Sequence, residues 1–344
     1  MSGQPAQTPA PYVSPGPQTT AFEVLERTTP AFSFYGVLAR FVQWLERSGR
    51  TLVIALPFLW LGLFFLAPFL IVLKLSFSET VLAVPPYAPL VAWLEENGLS
   101  YLTVRLNLSN YLLLFEDSLY VRAFLNSLRI SAVATFLTLC VALPLANAMS
   151  RAPERWRALL LMMVILPFWT SFLIRVYAWI GILKPEGILN AVLIGLGVIS
   201  EPLTILNTDI AVYIGIVYSY LPFMVLPIYA SFEKMDPSLI EAAVDLGSPP
   251  IKAFWTITVR IALPGIIAGC LLVFIPAAGE FVIPDLLGGS ETLMIGRTLW
   301  LEFFNNRDWP LASAVAIVLL AALTVPIVLF QRHQARRGGA DGAS

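Results

Sequence analysis

Residues 235–269 read MDPSLIEAAVDLGSPPIKAFWTITVRIALPGIIAG. This run decides the fold, because a short punctuated helix is followed directly by a long apolar stretch. Asp236 is a good N-cap, and Pro237 suits the first helical turn. Ser238 with Glu241 three residues on has capping-box spacing. Gly247 is a natural C-terminal stop, and Pro249-Pro250 prevents continuation. The pattern predicts a helix over 237–246, with Leu239, Ile240, Ala243 and Val244 on one side. Ala242 and Ala243 are small enough for close approach. A short rigid helix between two membrane spans suits docking into a groove on another protein. An ordinary helical loop would carry the same punctuation.

The chain around this run is apolar almost throughout. Of 344 residues, 58% are hydrophobic and 12% are charged, against about 25% charged in soluble domains. Mean hydropathy is +0.79. Net charge is −1, which leaves no basic excess for nucleic acid. Cys140 and Cys270 are too few for a disulfide framework. The single histidine, His333, leaves metal sites and Ser/Cys–His catalysis without their usual ligand or base. The reading is an all-α integral membrane protein, not an enzyme.

A span needs about 20 mostly apolar residues. Six segments qualify: 51–76, 128–149, 157–183, 209–232, 261–285 and 310–330. Met1–Thr20 is rich in Pro, Gln, Thr and Ser and reads as a disordered tail, not a signal peptide. Phe34, Val37, Leu38, Phe41, Val42 and Leu45 recur at helical spacing, so 32–47 reads as an amphipathic helix at the membrane surface or as a linker. Residues 77–127 form a long loop able to fold at the surface. Thr292–Phe304 reads as an interfacial or re-entrant helix. Segment 332–344 reads as a tail.

Orientation follows the lysines and arginines. With both termini cytoplasmic, 13 of the 21 fall inside, and Arg151, Arg155 and Arg157 share one short loop. Acidic residues show the reverse bias. The outer side then nets −5 and the inner side +4. A negative outer mouth would concentrate cations.

Glu241-Ala242-Ala243, three residues and then Gly247 resemble the EAA loop (233–260 here) of ABC-importer permease subunits. In that family the loop forms a coupling helix seated in a cleft of the ATP-hydrolysing subunit. Ile257 keeps the pattern's spacing. Val259-Arg260 stand where Leu-Pro is usual, and Leu263-Pro264 follow four residues later. Further stretches resemble polyamine-importer permeases, of the putrescine type in particular. They include LVIALPFLWLGLFFLAPF from Leu52, NYLLLFEDSLYVRAFLNS from Asn110, LPFWTSFLIRVYAWIGIL from Leu166, GEFVIPDLLGG from Gly279 and EFFNNRDWPLASAVAI from Glu302.

The resemblance implies a type I (MetI-like) permease fold with six transmembrane helices in a bacterial inner membrane. Glu241, Ala242, Ala243 and Gly247 would couple to the ATPase. The implied partners are an ABC ATPase dimer that binds ATP and Mg, a second homologous permease, a periplasmic polyamine-binding protein and membrane lipid. No G-x-x-x-x-G-K-[ST] phosphate loop occurs in the chain, so ATP would be hydrolysed by the separate subunit.

Ionisable groups within spans are costly and mark pathways or pairs. Arg175 and Glu280 stand out, with Asp285 close by. They allow an intramembrane Arg175–Glu280 ion pair, a cation contact at Glu280 and Asp285, or both. Putrescine has an ammonium at each end of a short methylene chain. Trp169, Tyr177, Trp179, Tyr218 and Tyr220 offer cation–π surface for it, although Trp and Tyr also collect at membrane interfaces. Pro222, Pro227, Pro264 and Pro276 predict kinks or breaks. Spermidine or another small cation is the rival substrate. A self-sufficient secondary transporter would show two similar halves, which are not seen here, and an integral-membrane enzyme lacks its usual residues.

Overall fold

The computed structural model describes residues 51–341, except 52, 89, 90, 97, 98, 105 and 237. The expected tail at 1–20, the amphipathic helix at 32–47 and Pro237 lie outside the described residues. The chain divides into two compact units, 1–71 and 72–344. The first helix, α1 (Val53–Ser76), is long and apolar enough to cross a membrane. It contains a π-helical turn at Gly62–Leu66.

After α1, the loop expected to reach 127 is shorter and more ordered. A two-stranded antiparallel hairpin, β1 (Val91–Glu96) with β2 (Leu99–Val104), pairs Val91 with Val104 and Glu96 with Leu99. Among the described residues it is the one sheet beside the helices. Helix α2 (Ser109–Glu116) follows. Its Asn110 amide donates to the Ser76 and Ser78 carbonyls at 3.1 and 2.9 Å. The second span starts ten residues before the apolar run, because Asp117 caps it: the carboxylate accepts from Leu119 N–H at 2.8 Å. The helix α3 runs Ser118–Arg151.

The segment 157–183, read as one span, is broken. Helix α4 (Glu154–Ile165) passes into a 3-10 turn, Leu166–Trp169, and α5 (Phe172–Leu183) starts afresh after extended residues 170 and 171. Pro167 has no N–H to donate, and its ring blocks the preceding turn. Helix α6 (Ile188–Gly195) extends α5 after a short break, and Phe172–Gly195 together has membrane-crossing length. Helix α7 (Asp209–Glu233) is unbroken despite Pro222 and Pro227. Helix α8 (Ser238–Asp245) leads to α9 (Pro250–Ile261), which meets α10 (Leu263–Ala278) at a 70° bend. Pro264, in the first turn of α10, marks that bend.

The segment 261–285 is also not one helix. Gly279 ends α10, and α11 (Val282–Leu287) starts after Glu280 and Phe281. The Glu280 carboxylate accepts from Val282 N–H at 3.0 Å, the bond of a capping side chain. Helix α12 (Ile295–Trp300) runs into a π turn, and α13 (Trp309–Asp341) closes the chain. The span expected at 310–330 falls on α13. Among the described residues, four helices have membrane-crossing length and composition, or five with the bent pair, and Trp309–Thr324 is a shorter apolar helix.

Helices α3, α7 and α10 form the centre. Small residues along α3 (Ala123, Ser127, Ala134, Thr138, Ala142 and Ala146) are buried, which lets neighbouring backbones approach. Where Ser131 and Thr138 face this interior, each hydroxyl donates to the carbonyl four residues back. One apolar cluster joins Leu143, Met149, Met224, Ile228 and Ile266. A second joins Ile130, Val176, Ile216, Ile283 and Met294. Between α7 and α10 the approach depends on Gly265 and Gly269, spaced four apart. A Cβ at Gly265 would collide with the Ser231 hydroxyl and the Pro227 carbonyl, and one at Gly269 with Met224.

The 292–304 segment, read as an interfacial or re-entrant helix, forms α12 and its π turn and packs partly into the interior. Met294, Ile295 and Thr298 are buried, and Ile295 N–H donates to the Ser127 hydroxyl at 2.8 Å. Gly296 lies so close to the Gly279 and Glu280 carbonyls that no side chain fits between them.

Candidate functional site

Two sites emerge from this frame. The first is α8 and its flanks. Asp236 makes the cap expected of it, its carboxylate accepting from Ser238 N–H at 3.0 Å. That bond, with a smaller contribution from the Ser238 side chain, holds the Asp236 carboxyl below the usual carboxylate range. The capping-box spacing of Ser238 and Glu241 is not used: Ser238 is itself the first helical residue, and Glu241 is exposed.

The far end is closed by a Schellman motif. Gly247 N–H donates to Val244 O at 2.8 Å and Ser248 N–H to Ala243 O at 3.0 Å. Gly247 sits at φ +83°, a left-handed conformation that disfavours side chains, yet nothing lies within 4 Å of where its Cβ would be. The backbone alone demands glycine here. Ala242 is exposed, and Ile240 and Ala243 are half-buried. Leu239, Val244, Leu246 and Ile251 are exposed, Leu246 to 89%. A rigid helix thus carries an uncovered apolar edge.

The second site is a cleft of about 450 Å3 between α5, α7 and the α10–α11 break. Arg175 and Glu280 both face it, and each is only 8% exposed. They do not form the ion pair expected of them. The carboxylate is already engaged, one oxygen by Val282 N–H and the other by the Tyr220 hydroxyl, which donates to it. The guanidinium instead lies over two rings, 4.9 Å from the centre of Phe168 and 5.8 Å from that of Phe172. Its Nε and Nη1 have no hydrogen-bond partner among the described residues, nor has the buried Ser219 hydroxyl on the same wall.

The other expected path residues are elsewhere. Tyr177 follows Arg175 by two positions, which puts it on the opposite side of α5, and it is exposed. Trp169 is 77% exposed. Trp179 packs edge-on against Tyr218 at 5.4 Å, outside the cleft. Asp285 pairs with Arg297 at 3.0 Å. The aromatic wall comprises Phe168, Phe172, Tyr220, Phe223 and Phe281, of which sequence reasoning named only Tyr220. Phe172 precedes Arg175 by three residues, a helical spacing that marks a shared face of α5, whereas Phe168 reaches the guanidinium from the 3-10 turn before the break.

Comparison with known proteins bears on both sites. The profile of the family described as binding-protein-dependent transport system inner membrane component matches residues 33–338. The spermidine/putrescine transport system permease protein PotB of Haemophilus influenzae is 42% identical over 283 residues, covering 82% of this chain and 93% of its own. Its Escherichia coli K12 namesake is 40% identical, covering 79% and 93%. A chain from the crystal structure of a bacterial alginate ABC transporter, in complex with an alginate pentasaccharide-bound periplasmic protein, superposes with a TM-score of 0.62 at 18% identity, covering 87% of this chain and 98% of its own. That likeness concerns the fold. With a matching family profile over most of its length and a capped Glu-Ala-Ala…Gly helix between its spans, the chain belongs to the binding-protein-dependent transport system inner membrane components.

Proposed function

We propose that this chain is a permease subunit of an ABC importer that carries a polyamine, putrescine or spermidine, across the bacterial inner membrane, with both its termini in the cytoplasm. A separate ATPase dimer hydrolyses ATP, a second permease completes the path, and a periplasmic binding protein delivers the substrate. The cleft carries the substrate reading: a buried carboxylate beside aromatic faces suits ammonium groups joined by methylenes. The names of the similar permeases agree with it.

In this reading α8 is the coupling helix. Its uncovered edge of Leu239, Val244 and Leu246 seats in the ATPase, and its two caps keep it stiff enough to transmit a displacement. Transport then follows from different contacts in two states, without bond chemistry in this chain. Glu280 offers its charge to one ammonium as the substrate passes. Trp169, Tyr177, Trp179 and Asp285 fall outside the cleft, and any role of theirs belongs to the approaches.

Competition in proteoliposomes containing the assembled complex tests the substrate. Labelled putrescine uptake should be inhibited by unlabelled spermidine and not by leucine or alginate. Glu280→Gln should lower its rate roughly 10- to 100-fold, the worth of one charged hydrogen bond. Inhibition by leucine, or full uptake in the variant, would contradict the reading.

A further inference from the structure

The Arg175 guanidinium is the one feature of the cleft that a cation path does not ask for. It is buried, Nε and Nη1 have no acceptor among the described residues, and the nearby carboxylate accepts from Tyr220 and Val282 and not from it. A buried charge without a hydrogen-bond partner is costly, and among the described residues the faces of Phe168 and Phe172 lie against it and offset part of that cost. Those faces are the surface an incoming ammonium would use. The side chain therefore occupies, from within the chain, the place of the substrate's own charge.

We propose that Arg175 is the resting-state cation barrier of this permease: a tethered guanidinium that fills the aromatic ammonium position and must swing away before a substrate ammonium can pass. The proposal rests on the polyamine-permease reading. Two like charges about 5 Å apart in a medium of effective dielectric 20 disfavour joint occupancy roughly 100-fold or more. Arginine suits the task, since it stays charged at any working pH and stacks flat on aromatic rings. Fixed positive groups exclude cations from other membrane pores in the same way. Because no hydrogen bond from the described residues holds Nε or Nη1, the side chain can leave without breaking one there.

The test is passive leak through the reconstituted complex, without ATP or binding protein. The probes are labelled putrescine and the neutral four-carbon polyol erythritol. Arg175→Met should raise putrescine leak at least 10-fold over the unsubstituted complex and leave erythritol leak unchanged, and Arg175→Lys should restore tightness. Phe168→Leu, which removes the platform and keeps the charge, should raise putrescine leak several-fold, and it decides the matter if Arg175→Met does not assemble. No selective putrescine leak in the variants, or an equal rise for erythritol, overturns the proposal. The leak assay needs no driven transport. A complex that pumps polyamine while Arg175→Met and Phe168→Leu stay tight defeats the barrier alone. A complex that never pumps polyamine defeats the functional reading.

Discussion

At the scale of single residues, the most exacting requirement is the backbone of Gly247. Its φ of +83° costs a residue with a Cβ about 1–2 kcal/mol, and the space around it is open. The penalty is therefore conformational. Gly247→Val should abolish ATP-driven uptake while the binding protein keeps its own affinity for substrate. Gly247→Asn should retain most uptake, because asparagine tolerates the left-handed region. Equal loss in both variants would point to a clash or a lost contact with the partner. This requirement is legible in the sequence, since Asp236, Gly247 and Pro249-Pro250 act over a few positions. The solitude of Arg175 is not legible. The residues that engage Glu280 lie 60 positions before it and two after it, and only folding shows that neither is Arg175.

At the scale of elements, the packing of α7 against α10 turns on two glycines. Gly265→Ala would press its methyl into the Pro227 carbonyl and the Ser231 hydroxyl, whereas Gly279→Ala would meet only ordinary contacts, with Leu319 at 3.8 Å. Thermal unfolding of the purified complex should show Gly265→Ala destabilised by about 1–3 kcal/mol and Gly279→Ala close to unchanged. The reverse order would mean that the two helices do not pack in this way. Hydropathy locates these helices but misplaces some of their ends. The second helix starts early because Asp117 caps it, and the fifth segment divides near its end, where Gly279 closes one helix and the Glu280 carboxylate accepts from the first N–H of the next. A hydropathy window sums residues, whereas a cap is one hydrogen bond. The break at 166–171 has a visible cause in Pro167. Proline alone does not decide, since α7 passes through Pro222 and Pro227 unbroken.

At the scale of the whole molecule, the chain has the parts of a transport-system membrane component, and ATP hydrolysis and substrate delivery fall, as proposed, to partners. It has apolar helices, a capped exposed helix and a cleft that sets a carboxylate and a guanidinium among aromatics. No phosphate loop for ATP occurs in its sequence. The central claim is that transport by this chain is driven by a separate ATPase and gated by a binding protein. The direct measurement is uptake of labelled putrescine into proteoliposomes holding the chain with its co-purifying partners, with and without ATP inside and binding protein outside. The account predicts uptake only when both are present. Uptake by the chain alone, or with ATP and no binding protein, would contradict it.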